Sequence, residues 1–192
     1  MKRIITLITF LALSFGGMVQ AAGINAAGVD HAGINVPDLK QAETFFHDTF
    51  GCVPVTHIGP FDLAALASPD GKKQTGSVSI SMIRCGTGSN IELFEYKNAQ
   101  GSTVMPGMAD IGASHIAFYT DDVKAGVAYL KSQGLTILGE PITMASGDTA
   151  GETWVHFRSP WGSDMELVGY PNGKAYEKTS HVRLWNPKHP AE

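Results

Sequence analysis

Apolar and polar residues alternate through residues 29–36, read as Val29-Asp30-His31-Ala32-Gly33-Ile34-Asn35-Val36, until Pro37-Asp38 interrupts them. That period of two predicts a half-buried strand. From Leu39 the period lengthens, and Leu39, Ala42, Phe45, Phe46 and Phe50 recur at helical spacing. Asp38 stands where a side chain can cap the first turn, and Gly51 where a helix stops. Strand character returns in residues 53–58 and again in 77–84, where Val78, Ile80 and Met82 alternate with small polar residues. Pro69-Asp70-Gly71 marks the loop between these two strands. A Gly/Ser/Asn turn at 86–90 then leads into a fourth strand, Ile91-Glu92-Leu93-Phe94-Glu95-Tyr96.

The same order, β-α-β-β-β, runs a second time after a Gly/Met/Pro-containing connector over 100–112. Residues 114–119 read as a strand, Asp121-Asp122 cap a helix from about 123 to 132, and Gly134 closes it. Residues 135–138, 153–157 and 165–168 supply three more strands, with Pro160-Trp161-Gly162 as the tight turn before the last. Self-similarity at this scale signals paired supersecondary units. We therefore expect an α+β chain of two βαβββ modules, residues 28–99 and 112–170, forming a curled mixed sheet around a shared cleft. Residues 171–192 form a C-terminal extension outside both modules, polar except for Val182, Leu184 and Trp185.

The N-terminus changes the picture of where the protein works. Lys2 and Arg3 precede an uncharged, mostly apolar run from Ile4 to Phe15, and Val19-Gln20-Ala21 offers a small residue at a cleavage point. This is the layout of a secretory signal peptide over residues 1–21, shorter in its apolar run than a membrane span of ~20 residues. A periplasmic or secreted protein with no membrane attachment after cleavage is expected. Loss of Lys2 and Arg3 would move the formal charge from -4 to -6. Overall content, 43% hydrophobic and 17% charged, is that of a folded soluble domain. No Lys/Arg run gives a phosphate backbone anything to meet, so nucleic acid is not an expected partner.

Candidate chemistry lies at equivalent places in the two repeats. His31 in His-Ala-Gly-Ile-Asn-Val matches His115 in His-Ile-Ala-Phe-Tyr-Thr, each shortly before a capped helix. Glu92 in Ile-Glu-Leu-Phe matches Glu166 in Met-Glu-Leu-Val, each in the last strand of its unit. Alternation aims each Glu away from its apolar neighbours. Carboxylates directed into a cleft need partners, and two imidazoles with two carboxylates suit a divalent Zn, Ni, Co, Fe or Mn ion. His47, His57 and His156 have no repeat partners of this kind and are read as surface, core or substrate-contact residues. Glu95 should face the other side of its sheet, and the Trp161 turn is read as structural.

With these four residues on first and fourth strands of a doubled βαβββ pattern, the chain resembles the vicinal-oxygen-chelate superfamily, and glyoxalase I of the bacterial type within it. The resemblance covers roughly residues 28–170. It implies that His31, Glu92, His115 and Glu166 ligate a divalent transition metal. It further implies a glyoxalase-like lyase or isomerase that acts on a small α-hydroxycarbonyl-type substrate through a metal-stabilised enediolate. Glu166, or else Glu92, would then be the catalytic base. The same scaffold serves ring-cleaving extradiol dioxygenases, for which His31, His115 and Glu166 would form the iron triad, and non-catalytic small-ligand-binding proteins. The resemblance also implies a homodimer. Cys52 begins the second strand and Cys85 ends the third; a disulfide between them and two buried free thiols both remain open.

Overall fold

The computed structural model describes residues 24, 26–66 and 71–191, so the signal segment expected over 1–21 lies outside the described residues. Strand β1 (His31–Val36) is followed by helix α1 (Leu39–Phe50), then β2 (Val53–Asp62), β3 (Ser77–Arg84) and β4 (Asn90–Lys97). Strand β5 (Ile116–Tyr119), helix α2 (Val123–Ser132), β6 (Ile137–Thr143), β7 (Thr153–Arg158) and β8 (Asp164–Gly169) repeat that order. Each module builds one four-stranded sheet, β1-β4-β3-β2 and β5-β8-β7-β6. In both sheets the first strand lies parallel to the last, and the other neighbours are antiparallel.

The helices start and stop where side-chain chemistry dictates. Asp38 accepts the Gln41 amide at 2.7 Å and Asp122 accepts the Ala125 amide at 2.9 Å, each satisfying a donor that the first turn leaves open. Gly51 ends α1 in the left-handed conformation, φ 68°, which a residue with a Cβ adopts only at a cost. After α2, the Leu135 amide returns to the Leu130 carbonyl at 3.1 Å, and Gly134 turns at φ 74°. This closure holds Leu135 in the helix exit, so β6 begins at Ile137 and extends to Thr143 rather than filling residues 135–138. Strand β5 likewise starts at Ile116, leaving His115 on the approach to it.

One core serves both modules. Ile83, Ile91 and Leu93 of the first sheet join Val155, Phe157, Met165 and Leu167 of the second, with Phe45 and Phe46 of α1 and Val127 and Leu130 of α2 between them. Aromatic contacts carry the junction. Phe50 stacks on Phe118 with centroids 3.8 Å apart, and Trp161 meets Phe45 and Phe46 edge-on at 5.4 and 5.9 Å. Trp161 is thus structural, as its turn suggested. Burying each such side chain stabilises the fold by roughly 1.5–3 kcal/mol. A disulfide joins Cys52 and Cys85, whose Cα atoms are 4.3 Å apart at the open end of the β2–β3 pair.

Sheet parity now fixes which residues face out. Residues of β4 and β8 that enter the core are odd-numbered, so Glu92 and Glu166 lie on the opposite faces of their sheets. Glu95 turns inward as expected and is buried, with Lys97 Nζ at 3.3 Å. The two sheets are not closed on one another, and their inner faces are occupied by the core. Each His/Glu face is therefore the side of its sheet opposite the core.

The extension beyond β8 is docked to both modules. Lys174 Nζ meets Glu152 at 2.8 Å and lies 4.2 Å from the Tyr170 ring centroid. The Ala175 and Tyr176 amides donate to the Ala150 and Asp148 carbonyls at 3.0 and 2.9 Å. Farther on, Thr87 of the first module donates to the Pro187 carbonyl at 2.8 Å, while Lys188 pairs with Asp121 of the second at 2.8 Å. Trp185 lies beside Gly88, where an added Cβ would sit 3.4 Å from the indole.

Candidate functional site

On the outer face of the first sheet, parallel pairing sets Gly33 of β1 directly beside Glu92 of β4, and His31 lies two residues along the same face. His31 Nε2 reaches Glu92 Oε2 at 3.1 Å. Its other ring nitrogen meets Asp30 Oδ1 at 2.7 Å, which fixes the ring between two carboxylates. The Asp30 hydrogen bond holds the imidazole pKa above its ordinary value, with Glu92 adding to the rise and burial working against it. Gly33 leaves the face open: a Cβ there would lie 3.0 Å from the Phe94 ring and 3.9 Å from Glu92 Oε2.

The second sheet repeats this pair. His115 Nε2 lies 2.9 Å from Glu166 Oε2. Both histidines keep about two-fifths of their side-chain surface in solvent, 41% and 44%, whereas the two glutamates keep only 17% and 14%. A largely buried carboxylate with a partly exposed imidazole beside it is a donor set open to a cation. Of the four residues singled out in the sequence, the structure brings His31 to Glu92 and His115 to Glu166. It does not bring the two pairs together within one chain.

A third imidazole stands in the second module. Among the described residues, His115, His156 and Glu166 form the group whose ligand atoms all lie within 4.8 Å of one another. His156 is opposite Glu166 across the β7–β8 pair, its Nε2 4.0 Å from Glu166 Oε2. Asp164 Oδ1 is 3.1 Å from His156 Nδ1. The search for repeat partners set His156 aside, because the first module carries Met82 opposite Glu92. The signal was nonetheless present: a hairpin symmetric about Trp161 pairs 156 with 166 and 158 with 164. His57, by contrast, bonds Glu43 of α1, which also accepts from the Ser81 hydroxyl at 2.6 Å; these tie the helix to its sheet. His47 pairs with neighbouring Asp48 on the surface of α1.

Comparison with known proteins gives this geometry a context. The sequence model of the Glyoxalase/Bleomycin resistance protein/Dioxygenase superfamily matches residues 28–167. A 2-epi-5-epi-valiolone epimerase from an Actinomyces species is 36% identical over 160 residues, covering 80% of this chain and 85% of its own. Among solved structures, a glyoxalase family protein from Bacillus cereus superposes with a TM-score of 0.63 at 20% identity, over 78% of this chain and 98% of that one. The trypanothione-dependent glyoxalase I of Leishmania major gives 0.54 at 18% identity, over 80% and 92%. At these identities the two structures speak to the fold alone.

Proposed function

Because the chain belongs to the Glyoxalase/Bleomycin resistance protein/Dioxygenase superfamily, we propose that it is an exported, metal-dependent isomerase of the epimerase type. Its substrate would be a small α-hydroxycarbonyl compound, inverted at the carbon beside the carbonyl. The observation that carries the reading is the duplicated His–Glu pair, His31 with Glu92 and His115 with Glu166, at matching register on the two outer faces. The similarity to an epimerase favours isomerase over lyase within the family.

These residues fit a divalent transition metal. Each pair presents one imidazole nitrogen and one carboxylate oxygen 2.9–3.1 Å apart, a separation that two neighbouring donors on one ion would have with bonds of about 2.0–2.2 Å. His31, Glu92, His115 and Glu166 would hold a Ni, Zn, Co, Mn or Fe ion. Bound there, the ion supplies Lewis-acid polarisation of adjacent hydroxyl and carbonyl oxygens, which acidifies the hydrogen on the carbon between them. Glu166 or Glu92 takes that hydrogen as a proton, and proton return to the opposite face of the carbon gives the epimer.

The reading requires a homodimer. Since the described residues of one chain do not gather the four donors into one group, they would converge where the first module of one copy meets the second module of another. Export to the periplasm or beyond rests on the N-terminal signal pattern, and a Cys52–Cys85 bridge suits an oxidising compartment.

Proton exchange tests the proposal. The mature chain, purified without chelator, is incubated in D2O with a panel of small hydroxyketones that includes 2-epi-5-epi-valiolone, and loss of the α-proton is followed by NMR. Exchange that needs the metal, disappears on chelation and falls by about 100-fold or more in Glu166→Gln or Glu92→Gln supports it. A folded, metal-loaded chain that takes up oxygen with a catechol and leaves α-protons in place would move it to the ring-cleaving branch. A chain that binds no added metal would sink the enzyme reading.

A further inference from the structure

The two half-sites are not equal, and the inequality centres on His156. The first module offers one imidazole and one carboxylate, with a methionine, Met82, across the strand from Glu92. The second offers two imidazoles and a carboxylate, because His156 takes the position that Met82 holds in the first. We propose that His156 is a third metal donor, so that the second module alone holds the ion through His115, His156 and Glu166, with Asp164 as the residue that positions His156. This rests on the reading of His115 and Glu166 as metal ligands.

Three observations carry it. Bonds of about 2.0–2.2 Å let two donors on one ion stand up to about 4.3 Å apart. Glu166 Oε2 lies 2.9 Å from His115 Nε2 and 4.0 Å from His156 Nε2, both within that span. Next, the 4.0 Å separation is too long for a hydrogen bond, so His156 Nε2 is aimed at Glu166 without being engaged by it. Finally, Asp164 meets the other nitrogen, Nδ1, at 3.1 Å, and both side chains are largely buried, 16% and 15% exposed. An Nδ1–H donated to a carboxylate leaves the Nε2 lone pair for a metal and fixes the ring that carries it. The His115 and His156 rings pack edge-to-face at 4.9 Å, and Trp154 also meets His156 edge-on at 5.5 Å, contacts that limit the swing of the His156 ring.

Co2+ alone, titrated into the full mature chain and followed by its visible absorption, separates the possibilities. His156→Ala should weaken Co2+ binding by at least about 100-fold and change the spectrum. Asp164→Asn should weaken it by about 10–100-fold, the effect of removing a carboxylate behind a ligating histidine. Far-UV circular dichroism checks that each variant is folded. A His31→Ala/Glu92→Gln double variant should keep Co2+ within about 10-fold of the parent, since the second module suffices. If His115→Ala loses Co2+ while His156→Ala binds it with unchanged affinity and spectrum, His156 is not a donor, although the metal reading of the family pairs stands. If the double variant loses Co2+ as fully as His156→Ala does, the second module does not suffice and the inference falls. If His115→Ala binds Co2+ like the parent, the metal reading falls with it.

Discussion

Breaking the Cys52–Cys85 bridge should lower stability by several kcal/mol without altering the native hairpin. The cysteines are 33 residues apart in sequence and clamp the ends of β2 and β3, where Val53 already pairs with Arg84. In the folded chain the ladder holds those ends together with or without sulfur. The bridge acts instead on the unfolded chain, which loses the entropy of an open loop. For a loop of that length the chain-entropy relation gives about 3.7 kcal/mol at 25 °C. In a protein of this size each kcal/mol corresponds to about 2–4 °C in Tm, so a fall of about 7–15 °C is expected. Cys52 is 1% exposed, and alanine avoids placing a hydroxyl there without a partner. Thermal unfolding of the oxidised parent, the reduced parent and Cys52→Ala/Cys85→Ala, followed by circular dichroism, measures the effect. Reduced parent and double variant should melt close together and well below the oxidised parent. If all three melt within about 2 °C, the unfolded chain is not constrained by this loop and the reasoning is wrong.

Other regions give independent tests. Gly169→Ala places a Cβ 2.4 Å from the Thr120 carbonyl and 2.9 Å from Val123 Cγ2. With backbone on one side and the helix start on the other, urea unfolding should show a loss of at least about 2 kcal/mol. Phe46, fully buried among Phe45, Phe50, Phe118 and Trp161, should cost about 3–5 kcal/mol on replacement by alanine, read by the same method. The Asp121 carboxyl is held below its ordinary pKa first by the Lys188 hydrogen bond and then by the Tyr119 hydroxyl. A depressed carboxylate stabilises the docked tail above the ordinary Asp pKa, and that contribution fades as pH falls through the lowered value. An NMR titration should therefore show the Asp121 carboxyl rising toward the ordinary value in Lys188→Ala; an unchanged midpoint would mean the tail does not reach it in solution.

Much of the fold was legible from period alone. Alternation in 77–84 and 91–96, helical spacing from Leu39 to Phe50, and capping by Asp38 and Asp122 are local properties, set by which faces a short segment must bury. The same locality exposed the repeat, and with it His31, Glu92, His115 and Glu166 as equivalent positions. The structure pairs His31 with Glu92 and His115 with Glu166, since residues on first and last strands of one sheet become neighbours once those strands lie parallel. What period could not decide was how two amphipathic sheets share one core. The aromatic junction of α1 with Phe118, Phe157 and Trp161 uses the inner faces, and this leaves the two His–Glu pairs on the opposite sides of their sheets, not gathered into one group. Nor could it weigh His156, whose role depends on a cross-strand partner ten residues away and on Asp164 behind it. Sequence settles which face each side chain takes, because that depends on neighbours along the chain. Only the tertiary structure settles which faces meet, because that depends on packing between segments far apart in sequence.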